Sequence, residues 1–292
     1  MRVLALLPGS TETQLQAMPA MAAIAEQLGA GLQVACNASN VAAWKLLPAV
    51  EKCISFEFGD RWSMADWANL LGSIREPDFQ VCLNFTSGPG YDLLLSMSHI
   101  PTRIGANGCA NTEKVPAGDA GWACQQLEHY LRPIGVELDA DVFRLSLPFA
   151  QLQSARDGLP SGDGPVLLLA PGGGSDDWSA ERWQETAVAI RSKVPDARLV
   201  CPAGDNSASL QTADPKPARA GDFQASAALV TAVDVVLTSD PVMAQLAVLT
   251  GTPLVALGMA EAGRLPQRDT IKALGNIAAL DERGVLQALG VA

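Results

Sequence analysis

Histidine is almost missing from this chain: there are two, His99 and His129. A His-rich zinc or iron site is therefore excluded by count. No Ser-His-Asp set can be assembled either, because neither histidine has a placed nucleophile beside it. Positive charge is also scarce. Lys and Arg total 20 against 31 Asp and Glu, a formal net charge of -11, and there is no long basic run. Phosphate neutralisation supplies most non-specific affinity for nucleic acid, so nucleic acid is not expected as a partner. An anionic membrane surface is a poor partner for the same reason.

Paired cysteines are lacking too. Cys36, Cys53, Cys82, Cys109, Cys124 and Cys201 form no close pair in sequence. They read as buried free thiols in a reducing cytosol rather than as disulfides or a metal site. Long apolar runs are absent: Leu229 to Leu237 is apolar but broken by Asp234, short of the ~18 residues a membrane helix needs. The start, MRVLALLPGS, reads as no signal peptide, since its apolar stretch runs into Pro8-Gly9 without a cleavage signal. The expectation is a cytoplasmic protein with no membrane span.

What remains is apolar content of small type. Hydrophobic residues make up 48% of 292 residues while aromatics are only 5%. An Ala, Leu and Val mixture suits buried parallel strands with helices packed on them, and the length suits one large domain or two ordinary ones.

The order of elements supports two. Arg2 to Leu7 reads as a strand, Ser10 to Thr13 as a polar turn, and 14–28 as a helix ended by Gly29. Strands are expected at 32–36, 53–56, 79–83 and 102–105, and helices at 41–47, 64–74, 91–97 and 123–131. From about Gln151 to Pro165 periodicity is lost, which reads as a linker between domains 1–150 and 166–292. The alternation then restarts. Strands are expected at 166–170, 198–201, 235–238 and 254–257, helices at 180–194, 223–231, 241–249 and 282–289, and a polar loop at 205–222. The fold class is α/β: two doubly wound Rossmann-like domains facing across a cleft. Ligands in such sheets lie beyond the carboxyl ends of strands. That points to the loops 8–14, 84–90, 171–178 and 238–243.

The loop Pro171-Gly172-Gly173-Gly174-Ser175 is the sharpest local feature. Glycines after a buried strand let backbone amides approach a ligand, and the next helix offers an N-terminus to a phosphate. The spacing fits neither a P-loop nor a dinucleotide fingerprint. Asp176 and Asp177 would repel a phosphate aimed there. Anion or ribose binding and a permissive turn are both open readings. Ser239-Asp240-Pro241 opens a helix after a strand, and Asp240 either bonds a ligand or caps the helix; Ser239 and Thr238 are weaker candidates. Glu12 is the one carboxylate at the corresponding place in the first domain, a general base or a solvated turn residue. Ser10, Asn84, Thr86, Ser87 and Tyr91 either line the first domain's side of the cleft or make satisfied turns. His99 reads as a helix C-cap, His129 as a residue on its helix face, and Trp183 as core. Trp178 reads as core or as cover for a base or sugar.

Three blocks carry a resemblance: RVLALLPGSTETQLQAMPAMAAI at 2–24, LLLAPGGGSDDWSAERWQETAVAI at 167–190, and LVTAVDVVLTSDPVMAQLAVLTGTPLVALG at 229–258. In order and spacing the chain resembles the heptosyltransferase-type glycosyltransferases of family 9, which have the GT-B fold. The resemblance implies sugar transfer from a nucleotide sugar, without metal or other cofactor, onto an acceptor bound by the first domain. It implies donor contacts from Gly172, Gly173, Gly174, Ser175, Trp178, Ser239, Asp240 and Val242, with Ser10, Asn84 and Thr86 on the acceptor side.

The departures are chemical. The family's Gly-Asp pair, whose aspartate is the proposed base, falls on Glu12-Thr13, so Thr13 stands at the base position and is no carboxylate. The family's Lys or Arg before the tryptophan is Asp177 here. The family's Asp-Ser/Thr-Gly-Pro-Met-His is Asp240-Pro241-Val242-Met243-Ala244-Gln245. Val242 replaces the glycine whose amide faces the diphosphate, and Pro241 removes an amide donor. Arg182, Arg264 and Lys272 are the cations that would have to compensate. Two functions follow as expectations: a glycosyltransferase with an altered donor or acceptor, or a catalytically inactive homologue serving as a binding, assembly or regulatory protein, for which a protein partner is expected.

Overall fold

The protein is described from a computed structural model, which covers residues 1–59, 63–116, 118, 121–175, 177–202, 214–216 (backbone only) and 222–291. The chain divides into two compact units, Met1–Phe143 and Arg144–Ala292. The first carries β1 (Arg2–Leu6), α1 (Thr11–Leu28), β2 (Gly31–Cys36), β3 (Val50–Ser55), α2 (Met64–Arg75), β4 (Val81–Asn84), α3 (Pro89–Ser98), β5 (Thr102–Gly105), β6 (Glu113–Lys114), α4 (Ala123–Gln126) and α5 (Glu128–Leu131). The second carries α6 (Phe149–Asp157), β7 (Val166–Ala170), α7 (Ala180–Lys193), β8 (Arg198–Pro202), β9 (Asp214–Lys216), α8 (Phe223–Ala232), β10 (Val235–Thr238), α9 (Pro241–Thr250), β11 (Leu254–Leu257), β12 (Ile271–Leu274) and α10 (Glu282–Leu289).

Each unit holds one six-stranded sheet, and both sheets have the same topology. The first runs β3-β2-β1-β4-β5-β6 and the second, read in the corresponding direction, β9-β8-β7-β10-β11-β12. Every pairing is parallel. This is the doubly wound order, with its switch point between β1 and β4 in one sheet and between β7 and β10 in the other. The strands at the switch are buried on both faces: Val3 to Leu6 and Val166 to Ala170 are all in the core. That burial is why they read as unbroken apolar runs and not as alternating ones.

The helices start and stop where side-chain chemistry dictates. Ser10 caps α1, accepting from the Thr13 amide, and Gly29 ends it in the left-handed region at φ 55°. Ser63 and Asp66 form a reciprocal capping box on α2, and those hydrogen bonds hold the Asp66 carboxyl below its usual range. Asp222, Asp240 and Asp281 cap α8, α9 and α10. His99 is the C-cap of α3 at φ 64°, as expected of it.

Several boundaries differ from the sequence reading. α1 begins at Thr11, so Glu12 and Thr13 lie in its first turn instead of in a polar loop. The helix expected at 41–47 is two short 3-10 turns, Ala38–Asn40 and Ala43–Leu46. The division between units falls at 143/144, and the stretch read as a linker from 151 opens inside α6, which packs against α8. No residue of α6 is buried, so its sequence has no apolar stripe to reveal it. The edge strand β12 was not expected; only Ile271 of its four residues is buried. Of the polar loop read at 205–222, all but 214–216 and Asp222 lie outside the described residues.

None of the six cysteines is in a disulfide. Cys36, Cys82, Cys124 and Cys201 are buried and Cys109 is exposed. Cys36 and Cys53, distant in sequence, share a hydrogen bond between β2 and β3, which with burial pushes the Cys36 thiol up. Among the described residues no helix is long and apolar enough to cross a membrane.

Candidate functional site

At the carboxyl ends of β7, β10 and β11 lies a pocket of about 300 Å³. Gly172, Gly174, Ser175 and Asp177 come from the loop after β7, and Ser239 and Pro241 from the β10–α9 junction. Leu257 and Gly258 come from the end of β11, and Ile277 from the 3-10 turn after β12. This is the switch point of the second sheet, where doubly wound folds bind ligands.

Glycine is required at two places in the loop. A Cβ on Gly172 would stand 2.9 Å from the Ser239 carbonyl oxygen, because the two strand-end segments pass that close. Gly173 sits in the left-handed region at φ 70°. The amides of Gly172, Gly173 and Trp178 are held by the protein's own side chains. Gly172 N–H donates to Ser239 Oγ at 2.8 Å. The Asp177 carboxylate accepts from Gly173 N–H through Oδ2 at 2.8 Å and from Trp178 N–H through Oδ1 at 2.7 Å. Asp177 N–H in turn reaches the Gly174 carbonyl at 3.1 Å.

The other donor-side candidates fall outside the pocket lining. Trp178 is 7% exposed and lies in the core, edge-on to Trp183 at 5.5 Å between centroids. Its indole N–H donates to the Ile277 carbonyl at 2.8 Å. Trp183 is core, as expected. Asp240 accepts the Val242 N–H at 2.8 Å, so the Val242 amide is spent on the helix cap. Thr238 is fully buried and bonds the Ala170 carbonyl at 2.7 Å, tying β10 to β7. Asp176 lies outside the described residues.

Of the three cations named as substitutes for the missing basic residue, Arg182 lies over the Trp178 ring at 4.6 Å. Lys272 is exposed on the edge strand β12. The Arg264 carbonyl accepts from Gln245, which replaces the family histidine and is fully buried. Among the described residues the pocket lining contains no Lys or Arg, and its one carboxylate is Asp177.

In the first unit the candidates cluster at the equivalent switch point. Ser10 Oγ stands 3.3 Å from Thr13 Oγ1, and Thr11 Oγ1 donates to Asn40 Oδ1 at 2.9 Å. Asn40 also donates to the Gly9 carbonyl at 2.8 Å, so the turns after β1 and β2 are tied together. Glu12 is half-buried in the first turn of α1. Asn84 is 2% exposed, and its Oδ1 accepts from both the amide and the hydroxyl of Thr86, at 3.0 and 2.6 Å. Its Nδ2 donates to Asn111 at 3.1 Å. Asn84 and Thr86 thus make a closed strand-end turn. Tyr91 stacks on Phe58 at 5.9 Å.

Among the described residues, no group of three or more His, Cys, Asp or Glu side chains is placed to hold a metal ion. Leu257, Gly258 and Ile277 line the pocket without being expected there from the sequence. Gly258 was detectable as a strand-end glycine, and it has φ 72°. Nothing local marks Ile277, which reaches the pocket only through tertiary packing.

No family model matches the chain, and no curated protein matches it. Solved structures do. The fold is similar to that of the family 9 glycosyl transferase from Veillonella parvula DSM 2008, with 15% identity and a TM-score of 0.77 over 99% of this chain and 96% of that one. It is similar to the ADP-heptose LPS heptosyltransferase II of E. coli, with 15% identity and a TM-score of 0.76 over 99% and 98% of the two chains. The UDP-GlcNAc 2-epimerase from Neisseria meningitidis, bound to UDP-GlcNAc, is more distant: 11% identity and a TM-score of 0.52 over 99% and 90%. At these identities the likeness is one of fold. The chain has two Rossmann-like domains of the GT-B type, the architecture of these glycosyltransferases.

Proposed function

We propose that the protein binds a nucleotide sugar in the pocket of its C-terminal unit and transfers the sugar to an acceptor without a metal. The observation that carries this reading is the position of the pocket. It sits at the β7/β10 switch point, walled on one side by the glycine loop and on the other by the start of α9. Ser175 and Ser239 are suited to sugar or ribose hydroxyls, and Leu257 and Ile277 offer an apolar wall. In transfer, an acceptor oxygen would bond to the anomeric carbon as the bond from that carbon to the diphosphate breaks, and the nucleoside diphosphate would leave. A base must take the acceptor proton, and Glu12 is the carboxylate assigned to it.

One specific observation favours a second reading, that of a catalytically inactive homologue acting as a binding, assembly or regulatory protein. Thr13 stands where the resemblance puts the catalytic aspartate, and Asp177 stands on the glycine loop where it puts a cation.

Calorimetry with ADP-, UDP- and GDP-linked sugars tests the first reading. Binding of at least one is expected, and no binding by any of them would sink it. Release of nucleoside diphosphate in the presence of EDTA then separates the two readings. Turnover lost in Glu12→Gln supports transfer. Binding without turnover, gained only in Thr13→Asp, supports the inactive homologue.

A further inference from the structure

The glycine loop already holds an anion, and that anion belongs to the protein. Asp177 Oδ2 lies 2.8 Å from the Gly173 nitrogen and Oδ1 lies 2.7 Å from the Trp178 nitrogen. A carboxylate accepting two backbone N–H groups makes the contact a ligand phosphate would make at a loop of this kind. The carboxylate also lines the pocket, and no Lys or Arg among the described lining residues offsets its charge.

We propose that Asp177 is an internal competitor: its carboxylate occupies the anion cradle of the glycine loop, and a phosphate-bearing ligand binds by displacing it. This rests on the nucleotide-sugar reading above and adds the residue that sets its affinity. Displacement has room to occur. Gly172, Gly173, Gly174 and Ser175 are exposed, and a Cβ on Gly174 would meet nothing within 4 Å. Displacement carries a cost, because two charge-assisted hydrogen bonds must be exchanged for those to the incoming phosphate. The loop therefore discriminates. A diphosphate, which can engage several amides at once, competes better than a single carboxylate or monophosphate.

The test uses inorganic pyrophosphate as the probe, titrated calorimetrically into the full chain and into Asp177→Asn and Asp177→Ala. Both variants are expected to bind pyrophosphate about tenfold more tightly than the wild type, or better. The asparagine variant retains one carbonyl acceptor for the loop and so preserves its shape while removing the charge. Equal pyrophosphate affinity in the wild type and a natively folded Asp177→Asn overturns the proposal, and so does the absence of binding in that variant. A second measurement needs no variant. In the wild type, saturating pyrophosphate must shift the amide resonances of both Gly173 and Trp178; pyrophosphate bound with both unmoved also overturns it. Failure of the nucleotide-sugar reading looks different: pyrophosphate binding rises in the variants, but no nucleotide sugar binds any of the three proteins.

Discussion

Asp234 and Val166 hold each other twice. The Val166 amide donates to Asp234 Oδ2 at 2.7 Å, and the Asp234 amide donates to the Val166 carbonyl at 2.9 Å. The pair fixes the amino ends of β7 and β10, the two strands whose carboxyl ends carry the pocket. The charge that interrupts an otherwise apolar stretch thus sets the register of the sheet's centre. Asp234→Ala leaves the amide of a buried residue without its charged acceptor and is expected to cost about 1.5 kcal/mol. Asp234→Asn keeps an oxygen there and is expected to cost well under half of that. Urea unfolding of the two variants checks the difference.

The glycine loop makes a paired prediction. Gly172→Ala would push a methyl group to 2.9 Å from the Ser239 carbonyl oxygen and 3.3 Å from the Asp240 nitrogen. Both are backbone atoms and cannot rotate away. The substitution is expected to destabilise the second unit by about 1–3 kcal/mol through overpacking and to abolish ligand binding in the pocket. Gly174→Ala meets open space and is expected to change stability by less than about 0.5 kcal/mol. Thermal melts and nucleotide-sugar calorimetry on both variants decide it. A Gly172→Ala protein that melts and binds like the wild type removes close approach as the reason for that glycine.

Alternation of apolar strands and helices is a local property, so the two-domain architecture was legible in the residues. β1, β7 and α9 are apolar because the fold buries them, and that burial writes itself into composition. α6, which buries no residue, and β12, which buries one of four, left no such trace. The site was legible only as loops. Gly172, Gly173 and Ser239 could be named from their place after strands. That Asp177 would fold back onto two amides, or that Trp178 would bond Ile277 across the sheet, depends on tertiary geometry that spacing does not encode. The nearness of Cys36 and Cys53 was invisible for the same reason: the pairing of β2 with β3 sets Cys53 opposite Val34, two residues before Cys36, and makes the two thiols diagonal neighbours.

Asp240 separates capping from ligand binding. Its carboxylate accepts the Val242 amide at 2.8 Å, which is the N-cap bond of α9. Asp240→Ala is expected to cost about 1 kcal/mol, and Asp240→Asn, itself a good cap, a few tenths at about the noise of measurement. If capping is its whole role, Asp240→Asn leaves nucleotide-sugar affinity unchanged. An affinity change of about tenfold, or 1.4 kcal/mol, at unaltered stability would make Asp240 a ligand contact as well.

Cys82 gives the chain a stability decline on the alkaline side. Burial in β4 pushes its thiol up to about 12, with the Arg103 charge pulling weakly the other way. In the unfolded chain a cysteine ionises near ~8.5. Below that pH both states keep the proton, and the contribution to stability is fully present. Above it the unfolded state releases the proton while the folded state retains it, so unfolding becomes easier as pH rises towards about 12. The slope from this one thiol reaches at most about 1.4 kcal/mol per pH unit. Denaturant unfolding between pH 8 and pH 10.5 is expected to give a shallower decline for Cys82→Ala than for the wild type, whatever the substitution costs at pH 8. Parallel curves would mean that Cys82 ionises in the fold as it does outside it. Alkylation provides an independent reading: exposed Cys109 should react in the native protein, while Cys82, at 0% exposure, should react only on unfolding.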